Sequence, residues 1–216
     1  MEPIKTINYR GYTIEIHVDY DGESPREWDN LGTMVCFHRN YNLGDKHEFS
    51  DSQALIDFLK DTPCVQLPLY LIDHSGLAMN TTGFSYCDPG EWDSGQVGII
   101  YITLADIRKE YKDIKRISAH RRASFEIRLL QEVETYNDRL TSNVYGYCTM
   151  GPDGESIDGC WGFYGDTALM ISEAKGNVDY DIKHRVQEHC VQVKTWIKNH
   201  VPLQHRTPLD VGPVCI

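Results

Sequence analysis

Ile4-Lys5-Thr6-Ile7-Asn8-Tyr9 and Tyr12-Thr13-Ile14-Glu15-Ile16-His17-Val18, separated by Arg10-Gly11, decide the fold of this chain. Both runs alternate in character, and the break between them is short and holds a glycine. That pattern predicts a hairpin with a tight turn. A second such arrangement lies far along the chain, where strand-like runs 143–149 and 156–164 flank Gly151-Pro152-Asp153-Gly154. Hairpins force antiparallel pairing. Strands dominate first, then a mixed stretch, then helix. The order predicts an α+β fold: a mostly antiparallel sheet packed by two longer helices, in a single domain.

Working outward, residues 19–30 form a polar loop before an apolar strand at 33–38. Ser50 and Gln53 have capping-box spacing and open a helix that carries Leu55, Ile56, Phe58 and Leu59 and stops at Pro63. Residues 65–72 form a strand in which Pro68 demands an edge or a bulge. The stretch 73–95 is a loop longer than ordinary connections. Strand 96–102 runs into Thr103 and Asp106, which start a short helix. A longer helix begins near Ser118, with Phe125, Leu129, Val133, Tyr136 and Leu140 on one face. The last helix carries Val178, Ile182, Val186, Cys190, Val193 and Ile197 in a narrow stripe suited to one groove or a partner helix. Residues 203–216 are expected as an extended tail. The division is then a core domain over 1–176 and a C-terminal helix and tail over 177–216, packed on it.

The 216 residues, 41% hydrophobic and 11% aromatic, suffice for a packed core and argue against disorder. No run approaches the ~18 apolar residues of a membrane span. No apolar run of signal-peptide length follows Met1-Glu2-Pro3-Ile4-Lys5, so no signal peptide is expected. Seven scattered cysteines without Cys-x-x-Cys spacing exclude a zinc ribbon and fit a reducing compartment. The net charge of −11 is uneven: residues 1–95 hold 16 acids and 6 bases, residues 96–216 hold 16 and 15. Within the second part, residues 108–128 form a belt of eight bases and three acids. An acidic front repels nucleic acid, or competes with it for a basic partner. Nucleic-acid binding is therefore expected only through the belt.

The tripeptide Glu-Trp-Asp occurs twice, at 27–29 and 91–93, each time at the entrance to a strand. Trp28-Asp29-Asn30 and Trp92-Asp93-Ser94 would suit a stacked nucleotide or sugar, or would simply pin loop bases. Asp73-His74-Ser75 holds the residue types of a hydrolase triad. Neighbouring side chains in extended backbone point to opposite faces, so they cannot bond in series. They line a pocket or form a turn closed by Gly76. Gly159-Cys160-Trp161-Gly162-Phe163-Tyr164-Gly165-Asp166 sets aromatics among glycines, for a flat ligand or for a sharp exit into the next helix. On the long helix, Glu132 and Glu134 point in opposed directions, so one faces inward and one faces solvent. His184 and Glu188 have the spacing of a solvated helix pair. The candidate binding residues are Trp28, Asp29, Asn30, Asp73, His74, Ser75, Trp92, Asp93, Ser94, Gln96, Trp161 and Tyr164. No catalytic residue, metal ligand or cofactor is assigned.

Several motifs form a recognisable set: Pro25-Arg26-Glu27-Trp28-Asp29-Asn30-Leu31-Gly32-Thr33-Met34, Leu43-Gly44-Asp45, Asp73-His74-Ser75-Gly76 and Trp92-Asp93-Ser94-Gly95-Gln96-Val97-Gly98. Glu132-Val133-Glu134-Thr135-Tyr136, Val144-Tyr145-Gly146-Tyr147 and Cys160-Trp161-Gly162-Phe163-Tyr164-Gly165 complete it. Over residues 4–175 the chain resembles an uncharacterised family of small acidic proteins encoded by bacteriophages and mobile elements. It departs from that pattern at Cys87-Asp88-Pro89-Gly90-Glu91, which is expected to be an insertion. The resemblance implies a phage accessory protein working in a bacterial cytoplasm; together with the acidic front of residues 1–95, the expectation is a non-enzymatic protein that binds and inhibits a host anti-phage component through that surface. The alternative is an enzyme or sequestering protein for a nucleotide-like molecule. It requires that both Trp-Asp loops and Asp73-His74-Ser75 gather at one end of one sheet.

Overall fold

The computed structural model describes residues 2–112, 118–165 and 167–206. It has the α+β architecture expected, but the antiparallel strands divide into two four-stranded sheets. The first contains β1 (Lys5–Tyr9), β2 (Tyr12–Val18), β7 (Val144–Met150) and β8 (Ser156–Tyr164), in that order. The second has the order β3-β6-β4-β5, from β3 (Thr33–Cys36), β4 (Cys64–Asp73), β5 (Leu77–Asn80) and β6 (Ser94–Thr103). The helices are α1 (Ser52–Asp61), α2 (Leu104–Glu110), α3 (Ala119–Leu140) and α4 (Thr167–His200).

The first hairpin closes as its sequence demands. Arg10 and Gly11 both take positive φ, 52° and 87°, the combination that matches strand twist in a two-residue turn. Its alternation selects faces. Tyr12, Ile14 and Ile16 join Tyr147 and the α4 residues Met170, Ala174 and Val178 in one core. In the second sheet the alternation serves two cores. Met34, Cys36, Ile100 and Ile102 pack under Phe125, Leu129, Val133 and Tyr136 of α3. Val35 and Tyr101, on the opposite face, pack under Leu55 and Leu59 of α1. Burial pushes the Cys36 thiol up to about 12, so it behaves as a small apolar residue.

Several expectations shift. The cap of α1 is Asp51, whose carboxylate accepts the Ala54 N–H, not Ser50. The stretch 73–95 contains β5, which pairs with Tyr70–Asp73. Because β5 is so short, Pro68 has no neighbour on that side, and the register breaks just beyond it between Leu69 and Tyr70. Helix α4 begins at Thr167, after Gly165 at φ 73°, and runs unbroken past residues 176 and 177. Its 34 residues span roughly 50 Å. The expected tail starts with a 3-10 turn, Leu203–His205; from residue 207 it lies outside the described residues, as do 113–117 of the basic belt.

Candidate functional site

The loop that carries Trp28 is built around a buried cation. Ser24 caps a 3-10 turn, Pro25–Glu27, that turns the Arg26 side chain inward, where it is only 4% exposed. Its guanidinium donates to Asp45 in a two-pronged contact at 2.7 and 2.8 Å. It donates further to Glu132 at 2.9 Å and to the Gly32 carbonyl at 2.6 Å. The carboxylates are engaged from the other side. Glu132 accepts the Leu31 and Gly32 N–H groups, and Asp45 accepts that of Met34. Burial works against the Arg26 charge, and the bonds to Asp45 and Glu132 outweigh it, so its pKa is raised. One arginine thus ties the loop, α3 and the entry to β3 together.

Outside this anchor the loop is acidic. Residues 19–29 carry Asp19, Asp21, Glu23, Glu27 and Asp29, with Arg26 as the one base. Because Arg26 is neutralised internally, it does not offset the carboxylates at the surface. Asp21, Glu23, Glu27 and Asp29 are exposed. Tyr20 and Trp28 are exposed among them, Trp28 by 44%. Trp28 stands edge-on to Tyr164 at 5.0 Å, and the Tyr164 hydroxyl donates to the Glu23 carbonyl. Asn30 donates to the carbonyls of Pro25 and Trp28, closing the turn. Trp28, Asp29, Asn30 and Leu31 then form one wall of a groove of ≈ 460 Å³, with Arg128, Gln131, Glu132 and Thr135 of α3 opposite. The Arg128 guanidinium donates to the Tyr111 hydroxyl and lies 5.5 Å over that ring.

The other copy of the motif is held differently. Asp88 accepts the N–H groups of Trp92 and Asp93 and the Ser94 hydroxyl. The stretch 87–91, expected to be an insertion, therefore organises the loop. Solvation loss works against the Asp88 charge, and these donors prevail, holding its carboxyl below the usual value. Trp92 is 90% exposed. His74 meets Asp93 at 2.7 Å, and the Asp73 N–H reaches the Asp93 carbonyl at 2.8 Å. His74 thus takes Asp93 rather than its neighbour Ser75, which sits at φ 59° in the turn from β4 to β5. The His74 side chain is 72% exposed, so water competes for this pair.

The two Trp-Asp loops do not share an end of the sheet. Ser94 pairs with Ile72 at the start of β6, while Thr33 pairs with Tyr101 near its finish. Seven residues of strand separate the two places, roughly 23 Å. Asp73, His74, Ser75, Trp92, Asp93 and Ser94 gather at one end; Trp28, Asp29 and Asn30 lie at the other. Gln96 lines a separate groove of ≈ 300 Å³ with Phe37 and Leu55. Trp161 belongs to the first sheet, where it covers Gly146 and lies 5.9 Å from His17. Tyr164 of the glycine-aromatic stretch reaches the Trp28 loop. A single pocket holding Trp28, Asp73, His74, Trp92 and Trp161 is therefore excluded.

Glu132 turns inward and Glu134 outward, as their spacing on the helix requires. Sequence reasoning missed the parts played by Arg26, Asp45 and Asp88. A signal for the first two existed: a lone base in a run of acids needs a reason. Among the described residues no helix is long and apolar enough to cross a membrane, and no group of three or more His, Cys, Asp or Glu residues is placed to hold a metal ion. No protein-family model, curated protein or solved structure matches the chain.

Proposed function

We propose that this chain is a non-enzymatic binding protein whose loop 19–30 docks on a positively charged surface of a protein partner. The observation that carries this reading is the internal neutralisation of Arg26. It leaves Asp21, Glu23, Glu27 and Asp29 around Trp28 without a nearby surface base from the loop itself. An exposed tryptophan flanked in the chain by the exposed Glu27 and Asp29 suits an incoming arginine or lysine, through cation–π and ionic contact together. The anchor also holds the loop in shape before binding, which lowers the ordering cost of docking. The sequence resemblance extends the proposal to a phage accessory protein in a bacterial cytoplasm, blocking a host defence component that carries a nucleic-acid-binding surface.

The test is affinity capture from bacterial lysate across a salt series, with the native chain and the variant Asp21→Asn/Glu23→Gln/Glu27→Gln/Asp29→Asn. The native chain should retain a partner at low salt and release it as salt rises. The variant should retain little at any salt. Equal capture by both chains would sink the proposal.

A further inference from the structure

The bases of residues 108–128 play no part in the docking of the acidic loop. Their described part, 108–112 and 118–128, holds six bases against two acids, Glu110 and Glu126. Arg108, Lys109, Lys112, Arg121, Arg122 and Arg128 are all exposed. Tyr111 packs on Phe125 with ring centres 5.9 Å apart, which lays the end of α2 beside the first half of α3. The bases of the two helices are gathered around that junction.

In a chain of net charge −11, carboxylates are plentiful enough to consume the bases. Elsewhere they do so: Arg10 meets Asp179, Arg26 meets Asp45 and Glu132, and Arg185 meets Asp153 and Asp181. On α2 and α3 the acceptors are neutral. Arg122 donates to the Cys64 carbonyl and Arg128 to the Tyr111 hydroxyl. Glu126 stands four residues beyond Arg122, at the spacing of a helix ion pair, yet Arg122 turns to the carbonyl. Lys109, Lys112 and Arg121 have no carboxylate at ion-pair distance among the described residues. A neutral acceptor positions a guanidinium without cancelling its charge. The N-terminus of the 22-residue α3, capped by Ser118, adds the positive end of a helix dipole to the same place.

The chemistry of the patch selects its partner. Exposed bases held with their charge intact suit phosphate oxygens. A protein interface is built on an apolar centre. Among the described residues of this stretch, Ile127 is the one exposed large apolar side chain. Single strands are held by stacking bases on open aromatic faces. Here Phe125 is buried, and the Arg128 guanidinium lies over the Tyr111 ring. A duplex backbone requires neither feature. The acidic front opposes such binding at low salt, but carboxylates beyond a Debye length of ~8 Å are largely screened at physiological ionic strength. The acidic loop faces Arg128 across its groove and bounds the patch on that side. We propose that α2 and the first half of α3 form a sequence-independent docking surface for the phosphate backbone of a nucleic-acid duplex, held by Lys109, Lys112, Arg121 and Arg122.

Fluorescence anisotropy of a short labelled DNA duplex, titrated with the full chain across a salt series, tests this. The native chain should bind, and four phosphate contacts should weaken that binding roughly 100-fold between ~50 and ~200 mM salt. Lys109→Gln/Lys112→Gln/Arg121→Gln/Arg122→Gln should bind at least ~10-fold more weakly at ~50 mM salt, with unchanged circular dichroism. Arg121→Gln/Arg122→Gln alone should show a shallower salt dependence. Lys46→Gln/Lys183→Gln/Lys194→Gln/Lys198→Gln makes the same charge change at exposed bases elsewhere and should bind as the native chain does. A native chain that leaves the duplex free at ~50 mM salt, or binding that salt does not weaken, overturns the proposal. So does equal loss in the two fourfold variants. Binding of labelled polyglutamate in place of the duplex overturns it too, and assigns the patch to an acidic protein.

Discussion

Glu27-Trp28-Asp29 and Glu91-Trp92-Asp93 are the same tripeptide in two physical settings. The first lies over a buried arginine with two carboxylate partners, three carboxylate-bound backbone N–H groups and a tyrosine edge against the tryptophan. The second is organised by one half-buried aspartate, and its tryptophan stands almost wholly in water. The tripeptide therefore carries no structure of its own. What surrounds it decides whether its loop is a rigid platform or a surface turn.

The largest contrast should come from the anchor. Arg26→Ala leaves Asp45 and Glu132 partly buried without their cation, and should cost ~3–5 kcal/mol in urea unfolding. A loss near zero would mean that the network does not hold the fold. The glycines after each tryptophan sharpen the comparison. A Cβ at Gly32 would meet Leu129, which is fully buried, at 2.4 Å; at Gly95 it would meet nothing within 4 Å. Gly32→Ala should cost ~1–3 kcal/mol, and Gly95→Ala should stay within about 0.5 kcal/mol of the native chain. Equal effects would erase the distinction between the loops. Removing the exposed imidazole with His74→Ala should cost less than ~1 kcal/mol.

Acid should separate the loops as well. The Asp88 carboxyl is held below its usual 3.8 in the folded chain. Its contribution is therefore complete above that value and is lost as pH falls through the folded one. Exchange of the Trp92 and Asp93 amides should quicken there. Amides whose exchange is unchanged between pH 5 and pH 2, after correction for intrinsic rates, would contradict the role given to Asp88.

Much of the architecture was legible in periodicity. The hairpins, the α3 face and the helix entries at Thr103 and Ser118 follow from local chemistry, and all appear. The split into two sheets was not legible, because β2 pairs with β7 across more than a hundred residues. Nor was β5, four residues in a loop-like stretch that gains its partner only from β4. The site fared similarly. Trp28 and its neighbours were singled out by residue type alone. That they lie far from Trp92 depends on strand register, Thr33 against Tyr101, which no local pattern encodes. The role of Arg26 depends on Asp45 and Glu132, which the fold brings to it from elsewhere in the chain.

The central claim is that binding resides in the anchored acidic loop and not in its counterpart. Two variants of equal charge change test it: Glu27→Gln/Asp29→Asn in the first loop, Asp73→Asn/Glu91→Gln at the second. Partner capture at low salt is measured for both beside the native chain. The account predicts loss of capture in the first variant and native capture in the second. Equal loss in both, or loss only in the second, would contradict it.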